Sequence, residues 1–241
     1  YMEKYTLKLK RKTEVARGTT AFHFEKPEDF SFVAGQFIEA TFIDPPETDE
    51  EGNTRTFSIA SAPHEEDIMI ATRMRDTAFK RVLGRTPSGR EARFKGPFGS
   101  FTLHKKSDRP AVFLAGGIGI TPIRSMILDA LERKLPHRLT LFYSNRRPED
   151  AAFLGELADL QKKAQNFKFV GTMTAAETPG KEWNGERGYI DEAMLRRHLG
   201  ELQGPIYYVV GPPTMVLAMR ATLEAAGVDS DDVRSEEFSG Y

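Results

Sequence analysis

AVFLAGGIGITP, residues 111–122, decides the fold. Ala111 to Ala115 is an unbroken apolar run of strand length, and three glycines follow it, Gly116, Gly117 and Gly119. The spacing then predicts a helix over about Ile123 to Arg133, with Pro122 at the first helical position, where no backbone donor is needed. The glycines let the chain turn sharply, and the helix N-terminus beyond them favours an anion, above all a pyrophosphate. A proline stands where the third glycine of G-x-G-x-x-G would sit.

Toward the C-terminus the same grammar repeats. Leu139 to Tyr143 leads to a helical segment, Glu149 to Lys163, and Phe167 to Met173 leads to Asp191 to Leu199. Ile206 to Val210 leads to Thr214 to Ala226, and Val233 to Phe238 is a last strand. This βαβ alternation predicts a Rossmann-like parallel sheet with helices on both faces. Gly211-Pro212-Pro213-Thr214-Met215 is a second turn from strand into helix. In open parallel sheets ligands sit beyond the carboxyl ends of the strands, so the two turns can border one crevice.

Toward the N-terminus the grammar differs. Tyr5 to Val15, Thr19 to Phe24, Gln36 to Ile43, Thr54 to Ala60, Asp67 to Arg73, Glu91 to Lys95 and Ser100 to Leu103 read as short strands punctuated by Gly and Pro, with one helix, Ala78 to Leu83. They predict an antiparallel Greek-key barrel. The expected division is residues 1–107 and 108–241. Pro45 to Gly52 (PPETDEEG) reads as an exposed acidic hairpin loop serving solubility.

Composition removes several classes of function. With no cysteine among 241 residues there is no disulfide, zinc-thiolate site or cysteine-ligated iron-sulfur cluster. The five histidines fall in different elements without ligand spacing, so no metal is expected. Lys plus Arg (34) balances Asp plus Glu (35), which argues against a nucleic-acid or membrane-surface binder. No apolar run approaches a membrane span, and a cytoplasmic protein, monomer or weak dimer, is expected.

Arg55-Thr56-Phe57-Ser58 is the informative run of the N-terminal half; taken alone it also reads as an exposed Arg beside a core Phe. Together with Ala34-Gly35-Gln36-Phe37, Gly96-Pro97-Phe98-Gly99, Gly116 to Pro122, Gly211 to Met215 and the ending Glu236-Glu237-Phe238-Ser239-Gly240-Tyr241, it resembles the ferredoxin-NADP reductase family of FAD-dependent oxidoreductases. The resemblance covers nearly the whole chain in order and spacing. It implies an N-terminal barrel that binds FAD, a C-terminal domain that binds NAD(P)H, and hydride transfer between them in a stand-alone reductase.

Carried over position by position, the resemblance implies that Arg55 neutralises the flavin pyrophosphate, Phe57 lies against the isoalloxazine and Ser58 bonds flavin N5. Thr56, Arg73 and Thr77 join the FAD site. Phe57 stands where the family usually has Tyr, so the ring stacks without donating a hydroxyl hydrogen bond. Gly116, Gly117, Gly119, Thr121, Gly211 and Pro212 are expected to face the nicotinamide nucleotide. Val210 occupies a position where many relatives have Cys. Glu236 matches a carboxylate near the flavin, and Tyr241, or else Phe238, is expected to cover the flavin face.

The nucleotide choice falls on Ser144-Asn145-Arg146-Arg147, after the second strand of the parallel sheet. An acid there would accept bonds from a ribose diol, whereas Ser144 and Arg146 suit a 2′-phosphate, so NADPH is favoured over NADH. Between Arg73 and Lys95, eight Lys or Arg face two acids, Asp76 and Glu91. This surplus suits a small acidic electron carrier such as ferredoxin or flavodoxin. Reduction of free flavin or ferric chelates, or a non-catalytic electron-transfer or regulatory role, are the alternatives.

Overall fold

The computed structural model describes residues 4–176 and 182–239. Seven elements make the N-terminal half: β1 (Lys4–Ala16), β2 (Thr19–Glu25), β3 (Phe37–Phe42), β4 (Thr54–Ser58), β5 (Asp67–Arg73), α1 (Ala78–Arg85) and β6 (Glu91–Phe98). The strands form one antiparallel, barrel-like sheet in the order β4-β3-β6-β1-β2-β5. Alternation drives it: Leu7 and Leu9 of β1 are buried while Lys8, Lys10 and Lys12 between and beyond them are exposed. Phe22, Phe24, Ile38 and Phe94 complete the interior, and α1 packs Phe79, Val82 and Leu83 against it.

The C-terminal half contains β7 (Ala111–Gly116), α2 (Ile120–Glu132), β8 (Leu139–Asn145), α3 (Leu154–Lys163), β9 (Phe167–Met173), β10 (Glu186–Arg187), α4 (Glu192–Leu199), β11 (Ile206–Gly211), α5 (Pro213–Ala225) and β12 (Val233–Glu237). Its parallel sheet runs β10-β9-β8-β7-β11-β12. The order reverses between β7 and β11, so their carboxyl ends open a crevice there. All of β7 and β11 is buried, as expected for strands covered on both faces.

Three expectations are corrected. Ser100 to Leu103 forms no strand; side chains take the Thr102 carbonyl and the N–H of His104 just beyond it. Tyr208 Oη takes the N–H of His104 (2.7 Å) and donates to the Thr102 carbonyl (3.1 Å), which Arg234 also reaches (2.8 Å). A 3-10 turn at Gly117–Gly119 leads directly into α2, so Pro122 is the third helical residue and not the first. α3 starts at Leu154 and not at Glu149, because Pro148–Asp150 forms a separate 3-10 turn and Phe153 takes a left-handed φ of 59°.

His104 and His137, 33 residues apart, meet edge to face at 4.9 Å beneath the sheet, both buried. Both ring nitrogens of His104 lack hydrogen-bond partners among the described residues. Burial, then His137, Arg234 and Arg109, push its pKa down to about 4. An unfolded histidine titrates near 6.5, so between these values the unfolded chain binds more protons. His104 should therefore cost no stability above about pH 6.5 and up to about 3 kcal/mol as pH falls toward 4. Denaturant unfolding at pH 7.5 and 5 checks this: His104→Phe should lose less stability than wild type over that interval, and equal losses would clear His104.

Candidate functional site

The end of β4 delivers Arg55, Thr56, Phe57 and Ser58 to a cavity of about 780 Å³ between the halves, where Arg73, Arg75, Thr77, Phe79, Lys80, Thr121, Glu236 and Phe238 join them. The Phe57 and Phe79 rings lie 5.8 Å apart, and the Arg55 guanidinium sits 5.1 Å over Phe79. Ser58 is buried at the strand's end. Thr77 caps α1, its Oγ1 accepting from the N–H of Lys80 at 3.4 Å.

Electrostatics identify what this cavity suits. Arg73, Arg75 and Lys80 have no ion pair among the described residues. Burial, followed by repulsion from Arg75, Arg73 and Arg55, pulls Lys80 down to about 8. Uncompensated like charges around a cavity favour an anion. Arg55 is already engaged: it donates to the carbonyls of Glu51, Gly52 and Thr54 and pairs with Asp49 (3.3 Å) and Glu51 (2.9 Å). The second oxygen of Asp49 accepts from the N–H of Ala78, at the start of α1, at 3.3 Å. A carboxylate thus lies between a guanidinium and a helix N-terminus, where a phosphate would find the same partners. These residues fit the pyrophosphate of FAD.

The acidic loop is therefore more than a solubilising hairpin. Its Glu47 pairs with Arg81 (2.9 Å) and reaches Arg85 (3.8 Å), while Asp76 also binds Arg81. Lys95 pairs with Glu39. Three of the eight cations of the basic run are thus paired with carboxylates of the chain.

Glu236, at the end of β12, is half-buried in the cavity wall, and burial alone pushes its carboxyl up to about 7. The Phe238 N–H donates to the Gly211 carbonyl at 2.9 Å, which carries the chain over the cavity. Tyr241 lies outside the described residues.

A second cavity of about 870 Å³ follows the β7–β11 crevice and shares Arg73 and Ile118 with the first. Gly116, Gly117, Ser144, Asn145, Arg146, Tyr189 and Pro212 line it. The Asn145 side-chain nitrogen is buried without a hydrogen-bond partner among the described residues. Gly119 and Gly211 serve close packing: a Cβ on Gly119 would come within 2.6 Å of the Val210 carbonyl oxygen, and one on Gly211 within 2.9 Å of Met215 Sδ. Thr121 is buried, donates to the Ile118 carbonyl at 3.1 Å and faces the first cavity. Arg147 is tied to Glu149 and Asp150, while Arg146 is exposed and has no ion pair among the described residues.

Sequence reasoning did not single out Lys80, Asp49 or Tyr189. Only Lys80 had a visible signal, as a cation within the basic run. Tyr189, 80% exposed at the rim of the second cavity, had none.

A barrel and a parallel sheet thus meet at two adjoining cavities, an arrangement that offers places for two ligands side by side. A family model for the oxidoreductase NAD-binding domain matches residues 113–221. Residues 113–221 thus carry an oxidoreductase NAD-binding domain, and the whole chain has the fold of ferredoxin-NADP reductase-like proteins. It is similar to the phenol hydroxylase P5 protein of Acinetobacter pittii, 31% identical over 86% of this chain and 58% of that one. It is also similar to the reductase component of the phenol 2-monooxygenase of a Pseudomonas species, 28% identical over 90% of this chain and 60% of that one. The chain thus spans under two-thirds of the length of either relative. A crystal structure of a ferredoxin NADP+ reductase from Neisseria gonorrhoeae with bound FAD and NADP superposes with a TM-score of 0.81, at 20% identity over 97% of this chain and 98% of that one. Among the described residues no helix is long and apolar enough to cross a membrane.

Proposed function

We propose that the chain is a reductase in which residues 1–107 bind FAD, residues 108–241 bind NADPH, and electrons leave toward a small acidic carrier of the ferredoxin or flavodoxin kind. The observation that carries this reading is the pair of adjoining cavities, one bordered by Arg73, Arg75 and Lys80, which have no ion pair among the described residues, and the other lying at the switch point of a parallel sheet. Bound FAD would supply the redox chemistry, taking hydride from the nicotinamide and releasing electrons singly.

The chain's residues supply position and charge. Arg55, Arg73, Arg75, Lys80 and the N-terminus of α1 hold the flavin pyrophosphate, with Thr77 shaping that terminus and Thr56 at the cavity rim. Phe57 packs against the ring system, Ser58 offers a hydroxyl to N5, and Glu236 holds a proton on its carboxyl. Gly116, Gly117 and Pro212 let the nucleotide backbone approach, and Phe238 screens the cavity.

NADPH is favoured because Arg146, just after β8 and near Ser144, is a cation with no ion pair among the described residues. A charged hydrogen bond to a 2′-phosphate contributes about 1.5 to 3 kcal/mol, a factor of ten or more. The test has two parts. Purified protein should carry FAD absorbance that NADPH bleaches, and Arg146→Ala should lower kcat/KM for NADPH about tenfold or more while leaving NADH nearly unchanged. An unaltered NADPH/NADH ratio in the variant refutes the assignment of Arg146.

A further inference from the structure

Arg124 lies on the second turn of α2 and is 5% exposed. All five of its N–H donors are used. Nε and Nη2 hold both oxygens of Glu156 on α3 (2.9 and 2.7 Å). Nη1 and Nη2 hold both oxygens of Glu65, in the segment after β4 (2.8 and 3.0 Å), and Nη1 also reaches the Ala60 carbonyl (2.8 Å). The guanidinium lies 5.1 Å over the Phe153 ring. Ser125, next in sequence and fully buried, donates to the Ser61 carbonyl at 2.8 Å. Burial pushes the Glu65 carboxyl up, but the hydrogen bonds and charge of Arg124 and the N–H of Ala62 outweigh it, so Glu65 stays below its ordinary value and charged.

The two anchored segments are also the walls of the reaction site. Ala60 lies two residues after Ser58, and Thr121 lies one helical turn before Arg124; Ser58 and Thr121 both face the first cavity. α2 itself grows out of the glycine turn that borders the second cavity. The span between Ser58 and the nucleotide crevice is therefore bridged by two neighbouring side chains of α2, of which Arg124 makes three bonds and Ser125 one. We propose that Arg124 is a positioning residue, a latch with three of its five bonds crossing from the nucleotide half to the barrel, that sets how closely the nicotinamide approaches the flavin. This rests on the two-cofactor reading above.

Its two carboxylates separate positioning from mere stability. Both accept bidentate bonds from the same guanidinium, but only Glu65 lies across the seam; Glu156 belongs to the same half as Arg124. Lysine, with three donors on one nitrogen, cannot span both carboxylates and the carbonyl. A misplacement of about 1 Å between reacting groups costs on the order of a hundredfold in rate.

Arg124→Lys and Glu65→Gln should each slow flavin reduction by bound NADPH, followed by stopped flow, by about tenfold or more, and should weaken the nicotinamide-flavin charge-transfer absorbance. Glu156→Gln should change that rate by less than about twofold, even if its thermal stability falls as far as that of Glu65→Gln. A readout without turnover is available because the chain has no cysteine. Spin labels at Thr13→Cys and Glu224→Cys, exposed sites on either half, should show a broader distance distribution with Arg124→Lys or Glu65→Gln than with wild type or Glu156→Gln. Equal rate losses in Glu65→Gln and Glu156→Gln, or unbroadened distances in Arg124→Lys, overturn the latch. Wild type that binds no FAD overturns the two-cofactor reading itself, and with it the role of the latch in the reaction; should Arg124→Lys fail to fold, Glu65→Gln decides.

Discussion

Glu236→Gln should lower NADPH-dependent reduction of a small one-electron acceptor by about a hundredfold while leaving the FAD content unchanged. The loss expected for a positioned proton donor or acceptor is about 10² to 10⁴. Burial holds the Glu236 carboxyl at about 7, so near neutral pH it is poised between its two forms in the wall of the flavin cavity. Its protonated form is complete below that value and lost as pH rises through it. Wild-type turnover limited by proton delivery should accordingly decline above about pH 7, and the glutamine variant, with nothing to titrate there, should be flat. Turnover between pH 5.5 and 9 at constant ionic strength checks both parts. A variant within threefold of wild type that keeps the inflection would make Glu236 a plain wall residue.

Arg55→Ala should raise the dissociation constant for FAD by about 10- to 150-fold, the equivalent of 1.5 to 3 kcal/mol for charged hydrogen bonds. The upper part of that range is expected, because the substitution also removes the cation that faces Asp49 and Glu51 and leaves two carboxylates beside the incoming pyrophosphate. Asp49→Asn should act in the opposite direction, since Asp49 holds the same guanidinium and the same helix N–H that the phosphate needs. Quenching of FAD fluorescence on titration into apoprotein measures each. Full retention of FAD by Arg55→Ala through extensive dialysis would remove Arg55 from the site.

The main elements of the site were legible in the sequence because each is written in consecutive residues. Arg55 to Ser58, Gly116 to Pro122 and Gly211 to Met215 are local patterns, and the proximity of the two glycine turns follows once β7 and β11 are neighbours. Local context also explains the misreadings. The run Ser100 to Leu103 has the apolar alternation of a strand, but Tyr208 and Arg234, more than a hundred residues away, take its Thr102 carbonyl instead. The helix expected from Glu149 has suitable spacing, yet the left-handed turn at Phe153 delays it to Leu154.

By itself the sequence determined the two kinds of sheet, because side-chain alternation with period two and apolar runs followed by helical spacing are properties of neighbours along the chain. Why Gly119 must be glycine is a tertiary matter: the Val210 carbonyl of β11 leaves no room for a Cβ. Only the tertiary structure decided which charges remain free. Arg81 and Arg85 look as available as Arg73 and Arg75 in the sequence, but the loop carrying Glu47 folds back onto the first pair and not the second. The same holds for Arg124, whose carboxylates lie 59 and 32 residues away, for Lys80, whose protonation is set by burial and by cations of other elements, and for Glu236, whose protonation is set by burial. Electrostatic energy depends on distance through space and on exclusion of water, and neither is a property of spacing along the chain.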